Sequence, residues 1–309
     1  MIKRLIIFLL ASLVILSLIV FYLSIVGIET EKFNKKINNE ILNINSKFNL
    51  ELKSVKFLLK PSDLSVNVKT FGPEVFFNNN LLKLEYIKTN ISLKSFINNE
   101  FSIDDLKIST KAIKLNNMVQ FARSFKNSTE LLILNKVIKE GFLIADISLN
   151  FDDNGKIKDD FQINGLIKNG KFGLLNQNRI DNLNLFFKIK INEYLIEDIN
   201  GTFNEINLSS PLIKIVENKD IFSVNGKVIT GEQEIDKKLI KNLLRDSFKE
   251  LQIENVNLSS DNDFIFNISK KFKISGLNIK SKINLNNLDY KNKLSNIEKY
   301  LPNFKEIIK

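Results

Sequence analysis

The chain has 309 residues, 44% hydrophobic and 26% charged, with 45 basic against 35 acidic side chains and a net charge of +10. It contains no His, Cys or Trp, which excludes Ser-His-Asp and Cys-His nucleophiles, imidazole and thiolate metal sites, redox dithiols and disulfides. An enzyme of this composition would have to run on carboxylates, Lys or Tyr.

Only Arg4, Arg123, Arg179 and Arg245 interrupt the lysines, and no basic block carries interleaved aromatics. A nucleic-acid footprint is therefore missing, and the lysine excess matches an A+T-rich coding sequence or anionic head groups near a membrane anchor.

Leu5 to Ile28 form an uncharged run behind Lys3 and Arg4. As a helix it reaches about 36 Å, enough to cross a hydrocarbon core of about 30 Å. The small residues Ser24 and Gly27 have Tyr22 and Ile25 two positions before them, which does not match a signal-peptidase site, so an uncleaved anchor over 1–28 is expected. Its apolar residues include Leu5, Leu9, Leu13, Leu16, Val20, Leu23 and Ile28. The basic tail points inside, and the bulk of the chain outside.

Phe33, Ile37, Ile41 and Ile44 then recur at helical steps, predicting an amphipathic helix within 29–46. From residue 47 the period changes to two. Phe48, Leu50 and Leu52, then Val55 and Phe57, then Leu64, Val66 and Val68 read as strands with one dry face. Pro61-Ser-Asp and Phe71-Gly-Pro-Glu are the turns between and after them.

More strands are expected at Leu82–Tyr86, Ile91–Leu93, Phe101–Ile103, Leu106–Ile108 and Ile113–Leu115. Two helical patches follow. One has Leu115, Met118, Val119, Ala122 and Phe125 on a face; the other has Leu131, Leu134 and Ile138, with Gly141 as its stop.

Leu143, Ala145, Ile147, Leu149 and Phe151 resume the strand period, and Asp152-Asp-Asn-Gly155 makes a hairpin turn into Phe161 and Ile163. Leu183, Leu185, Phe187, Ile189 and Ile191 form the cleanest alternation in the chain. A helix is read over about 232–250, with Ile235, Leu239, Leu243 and Phe248 on one side. Strands return at Leu251–Ile253, Val256–Leu258, Phe264–Ile268, Phe272–Ile274 and Ile279–Leu285, and residues 290–309 become helical.

Phe161-Gln-Ile-Asn-Gly165, Phe222-Ser-Val-Asn-Gly226 and Phe272-Lys-Ile-Ser-Gly276 echo one another, with a weaker Asp198-Ile-Asn-Gly201. Gly on a strand predicts bulges that curve a sheet. Asp152 to Asp160 lack the order of a calcium loop, and Asp104-Asp105 fall on opposite sides of a strand, so no acid/base pair or metal site emerges.

The anchor, the short helix, Leu50-Glu-Leu52, Pro61 and Leu84-Glu-Tyr-Ile-Lys-Thr-Asn-Ile-Ser-Leu-Lys-Ser-Phe96 together resemble the amino-terminal region of AsmA-like proteins. The stretch Asn99 to Leu115 resembles that family's next step. The family includes TamB-like and YhdP-like proteins, anchored in the inner membrane and extending a curved sheet whose apolar groove carries phospholipids towards the outer membrane.

The resemblance implies a mainly β fold with a few helices. A single N-terminal transmembrane helix is followed by a long, curved, mostly antiparallel β-sheet, groove-like, with short covering helices. Residues 47–309 form its periplasmic domain. The function expected is non-enzymatic lipid transport to, or assembly of, the outer membrane, with phospholipids, the inner membrane and envelope proteins as partners and no cofactor. The alternatives are a non-transporting anchored β-scaffold for envelope proteins and, more distantly, a carboxylate hydrolase.

Candidate groove-lining residues are Leu64, Val66, Val68, Leu183, Leu185, Phe187, Ile189 and Ile191. The strand of Ile147 contributes a further lining position not fixed to one residue.

Overall fold

The computed structural model describes residues 2–78, 80–98, 103–125, 128–152, 154–174, 178–244 and 253–290. Helix α1 (Ile2–Ile25) leads into β1 (Ile28–Thr30), α2 (Asn34–Ile44), β2 (Phe48–Glu51) and β3 (Ser54–Lys60). Then come β4 (Ser65–Phe71), β5 (Glu74–Phe77), β6 (Asn80–Ser92), α3 (Leu93–Ile97), β7 (Ile103–Thr110) and β8 (Ile113–Lys114).

The middle of the chain contains α4 (Leu115–Phe125), α5 (Thr129–Val137), β9 (Ile138–Asn150), β10 (Gln162–Gly173), β11 (Arg179–Lys190) and β12 (Glu193–Phe203). It ends with β13 (Ile206–Asn218), β14 (Ile221–Asp236), α6 (Lys237–Leu244), β15 (Ile253–Ser269) and β16 (Ile274–Tyr290).

The fold is mainly antiparallel β: one open, curled sheet of 16 strands behind an apolar N-terminal helix. The main path runs β1-β3-β4-β6-β7-β9 and then in chain order to β16, with β2 and β5 forming a side flap on β6 and β8 pairing with β9. Two-residue loops keep β11 to β14 in chain order. Asn204 and Glu205, both at positive φ, join β12 to β13, the backbone a two-residue hairpin turn of matching twist demands.

A row of bulges bends the central strands. Gly141, Asn169, Asn182 and Asp198 hold positive φ, one in each of β9 to β12. Register shifts accompany the bulges on β10 and β11.

Asn and Asp tolerate this conformation because their short side chains bond locally. Asn184 Nδ2 donates to Asn182 O at 2.7 Å, Asn184 Oδ1 accepts from Asn169 N at 3.0 Å, and Asn200 Nδ2 donates to Asp198 O at 3.1 Å. In β13 and β14 the consecutive pairs Pro211-Leu212 and Gly231-Glu232 both face outward, the signature of a strand folded about its inner side. Asn182→Val puts a β-branched residue at φ 53 and is expected to cost about 1–2 kcal/mol, read as a lower melting temperature of the detergent-solubilised chain.

Helices cover only part of the concave side. Leu115 and Val119 of α4 pack with Ile138, Leu143 and Ala145 of β9, and Ile163, Ile167 and Phe187 close around them. A separate aromatic knot joins the flap to α4, with Phe77 and Phe125 stacked at 4.0 Å and Phe48 at 5.4 Å from Phe125.

Several sequence expectations need correction. The anchor helix stops at Ile25, because Gly27 at φ 73 turns the chain. Ile28 therefore belongs to β1, opposite Phe57. The amphipathic helix is real but begins at Asn34.

Ile138 opens β9 rather than ending a helix. Gly141 is no helix stop. A Cβ there would lie 2.9 Å from Gly170 Cα and 2.7 Å from a Leu115 methyl, so the residue serves a close approach.

The helix expected at 232–250 begins only at Lys237, as α6, and 245–250 lie outside the described residues. Ile235 is buried in β14 opposite Val256, because pairing with β15 outweighs the four-residue spacing of Ile235 and Leu239. The strands read separately between Ile253 and Ile268 are one strand, β15. Phe101, Phe248, Leu251 and the helical reading of 291–309 lie outside the described residues.

Candidate functional site: the apolar inner face

In an antiparallel sheet directly paired residues share a face, so the register traces the inner surface strand by strand. Phe57 pairs with Val68, and Val66 with Ile91. Ile87 pairs with Ile108, which pairs with Ile147, then Ile163, then Ile189. Ile189 faces Tyr194, Phe187 faces Ile196, and Ile196 faces Ile213. Ile215 pairs with Val224, Val224 with Phe266, and Phe264 with Ile279.

The apolar face is thus continuous from β1 to β16. Twelve interstrand steps of about 4.8 Å carry it about 58 Å across the strands. Because the bulges fold each central strand inward, the face forms a trough whose axis runs across the strands. Apart from Glu217 at one lip, the charged pairs of these strands lie on the other side, where Lys214 pairs with Glu193 at 2.5 Å and Lys227 with Asp261 at 2.9 Å. The Lys214 hydrogen bond holds the Glu193 carboxyl below its ordinary value, and the hydrogen bond to Asp261 raises the Lys227 ammonium.

Of the residues expected to line the groove, Val66, Val68, Leu183, Leu185, Phe187 and Ile189 lie on this inner face. Ile147 takes the lining position left open on its strand. Leu64 does not line it: it sits at φ 46 after the Pro61–Asp63 turn and is 61% exposed. Ile191 is in the β11–β12 turn, 42% exposed. Both continue the two-residue alternation past the end of a strand, where the pleat no longer directs the side chain.

Tyr194, Ile196, Ile213, Ile215, Val224, Phe264 and Phe266 also face inward. Sequence reasoning missed β12 and β13, whose alternation is broken by the consecutive exposed pairs Glu197-Asp198 and Pro211-Leu212. A signal present in the sequence is the pair Asn182-Leu-Asn184 on β11 and Asp198-Ile-Asn200 on β12, each an αL residue with its bonding partner two residues on.

The Gly echo has a meaning other than bulges. Gly165 lies opposite Phe187, and Gly226 opposite Phe264. A Cβ on Gly165 would stand 2.4 Å from Phe187 Cζ, and one on Gly226 3.0 Å from Phe264 Cζ. These two glycines are seats for aromatic rings of the trough. Gly276, at φ 61, is the copy that accompanies a register shift.

At one lip of the trough the Tyr194 hydroxyl meets Glu217 Oε2 at 3.3 Å. Burial, followed by the Glu217 charge and hydrogen bond, raises the Tyr194 ionisation above its ordinary value. Glu217→Gln is expected to lower it only part of the way back, since burial remains. Ultraviolet titration of tyrosinate compared with a Tyr194→Phe control checks this.

Helix α1 is long and apolar enough over Lys3–Ile25 to cross a membrane, and none of that span is buried. Leu5, Leu9, Leu13 and Leu16 are exposed on it, with Val20 and Leu23 half-buried. Leu13, Leu16, Val20 and Phe21 line, with Pro61, a recess of about 590 Å³ between the helix and the Pro61–Asp63 turn. Among the described residues no group of His, Cys, Asp and Glu is arranged to hold a metal ion.

No protein-family model, curated protein or solved structure matches the chain.

Proposed function

We propose that the chain is an inner-membrane-anchored, periplasmic protein of AsmA-like type. Its trough shields phospholipid acyl chains and contributes to lipid transport to, or assembly of, the outer membrane. The observation that carries this reading is the continuous apolar inner face, which begins beside a membrane-spanning-length helix and runs about 58 Å across the sheet with helices over only part of it. The amino-terminal resemblance to AsmA-like proteins supports the compartment and the cargo.

The physics fits the task. Two 16-carbon tails drawn through water expose about 30 methylenes at about 0.8 kcal/mol each, a barrier of about 24 kcal/mol. An apolar trough removes most of it by contact alone, and no reacting group is needed. The recess against α1 lies where a lipid would leave the bilayer for the first strands.

The test is native mass spectrometry with lipid extraction on the full chain purified in detergent from bacterial membranes. Near-stoichiometric phospholipid that survives detergent exchange is expected; a lipid-free chain with a protected core overturns the reading. A reporter fused after Lys309 should be active only in the periplasm.

A second reading, an anchored scaffold for envelope proteins, is favoured by an outer-face row. Ile144 pairs with Leu166 and Leu166 with Phe186, with Phe142 nearby, and Phe142, Ile144 and Phe186 are exposed.

A further inference from the structure

The trough is not apolar throughout. Where β13 and β14 fold, Ser210 and Thr230 immediately precede the outward pairs Pro211-Leu212 and Gly231-Glu232, so both stand on the floor of the concave side. Ser210 lies opposite Ile199, one residue past the Ser209–Ile229 pair. Thr230 pairs with Ser260. Asn262, two residues along β15, donates from Nδ2 to Ser260 Oγ at 2.9 Å and to Val228 O at 3.3 Å.

Ser210 is 4% exposed, and its Oγ has no hydrogen-bond partner. A buried hydroxyl left unpaired is costly, and apolar side chains would serve a plain core better. Val224 and Ile213 continue the face on one side of this band, and Ile206 and Ile235 on the other, all apolar. The nearest charged pair, Lys227 with Asp261, projects outward, since Lys227 alternates with the inward Gly226 and Val228.

We infer that Ser210, Thr230, Ser260 and Asn262 form a neutral polar seat in the trough that hydrogen-bonds the ester carbonyl oxygens of an acyl lipid. The inference rests on the trough reading above and adds what part of the lipid is recognised. A hydroxyl donor without a partner fits a carbonyl acceptor. The absence of inward charge at this level fits an uncharged ester and not a phosphate or a free carboxylate. The seat fixes the polar end of the acyl chains while the tails lie along the apolar stretches on either side.

The experiment offers the detergent-solubilised full chain an equal mixture of dioleoyl phosphatidylglycerol and its dialkyl ether counterpart, which lacks only the carbonyls. Bound lipid is then counted by native mass spectrometry. One or two hydrogen bonds predict about a tenfold preference for the ester lipid. In the Ser210→Ala/Thr230→Val chain, which keeps the side-chain volumes close to the original, the preference falls to near one because binding of the ester lipid drops to the level of the ether lipid, which makes no such bond. Equal binding by the original chain, or a preference that survives the double substitution, overturns the seat and leaves the trough standing. Retention of neither lipid overturns the trough itself.

Discussion

Phe187→Asp is expected to abolish lipid retention if the trough is the lipid path, with bound phospholipid falling at least tenfold, while Phe186→Asp should leave it unchanged. The two residues are adjacent on β11 but point to opposite faces, as successive strand positions must. Phe187 lies over Gly165 and packs against the cluster of Leu115, Val119 and Leu143. Phe186 is 50% exposed on the outer side.

A carboxylate on the inner face has no inward cation to pair with at that level, and burying it unpaired costs several kcal/mol. An acyl chain passing the same point loses its apolar contact as well. Phe187→Leu, which keeps the face apolar, should retain lipid, separating loss of the trough from loss of folding. Native mass spectrometry of the three chains, with melting curves beside it, decides the matter. Equal retention by Phe187→Asp and Phe186→Asp would remove the trough as the lipid path.

Gly165→Ala is expected to cost about 2–3 kcal/mol by overpacking. The added Cβ would lie 2.4 Å from Phe187 Cζ and 2.6 Å from the Ile144 carbonyl oxygen. The ring can shift; the backbone of β9, held on both sides, has little room. Phe187→Ala alone also destabilises, by leaving a cavity beside α4. In the double variant the methyl occupies part of that space, so the two costs should add to less than their sum. A thermal or denaturant double-mutant cycle measures the shortfall. Strict additivity would mean that Phe187 does not rest on Gly165.

Local pattern made much of this architecture readable. The uncharged run behind Lys3 and Arg4, the alternation through Val66 and Val68, and Leu185, Phe187 and Ile189 each state their secondary structure within a few residues. The hairpin at Asp152 also follows from its own chemistry, with Asp152 Oδ1 accepting from Asn154 N and Lys156 N. What was misread lies where neighbours overrule local spacing. Ile235 and Leu239 stand four apart as on a helix, yet Ile235 is a strand residue because β15 offers it a partner. Leu64 and Ile191 keep the alternation but fall in turns.

A long apolar N-terminal helix and a chain of strands with one dry face are legible in the order of residues alone, because both depend on periods of two or 3.6 residues that a short window contains. That the dry faces join into one trough, that Asn and Asp bulges fold it, that Gly165 and Gly226 seat aromatic rings, and that Ser210 lies buried on its floor emerges from the assembled sheet. Those features depend on register between strands, and register is set by pairings many residues apart, which no local pattern encodes.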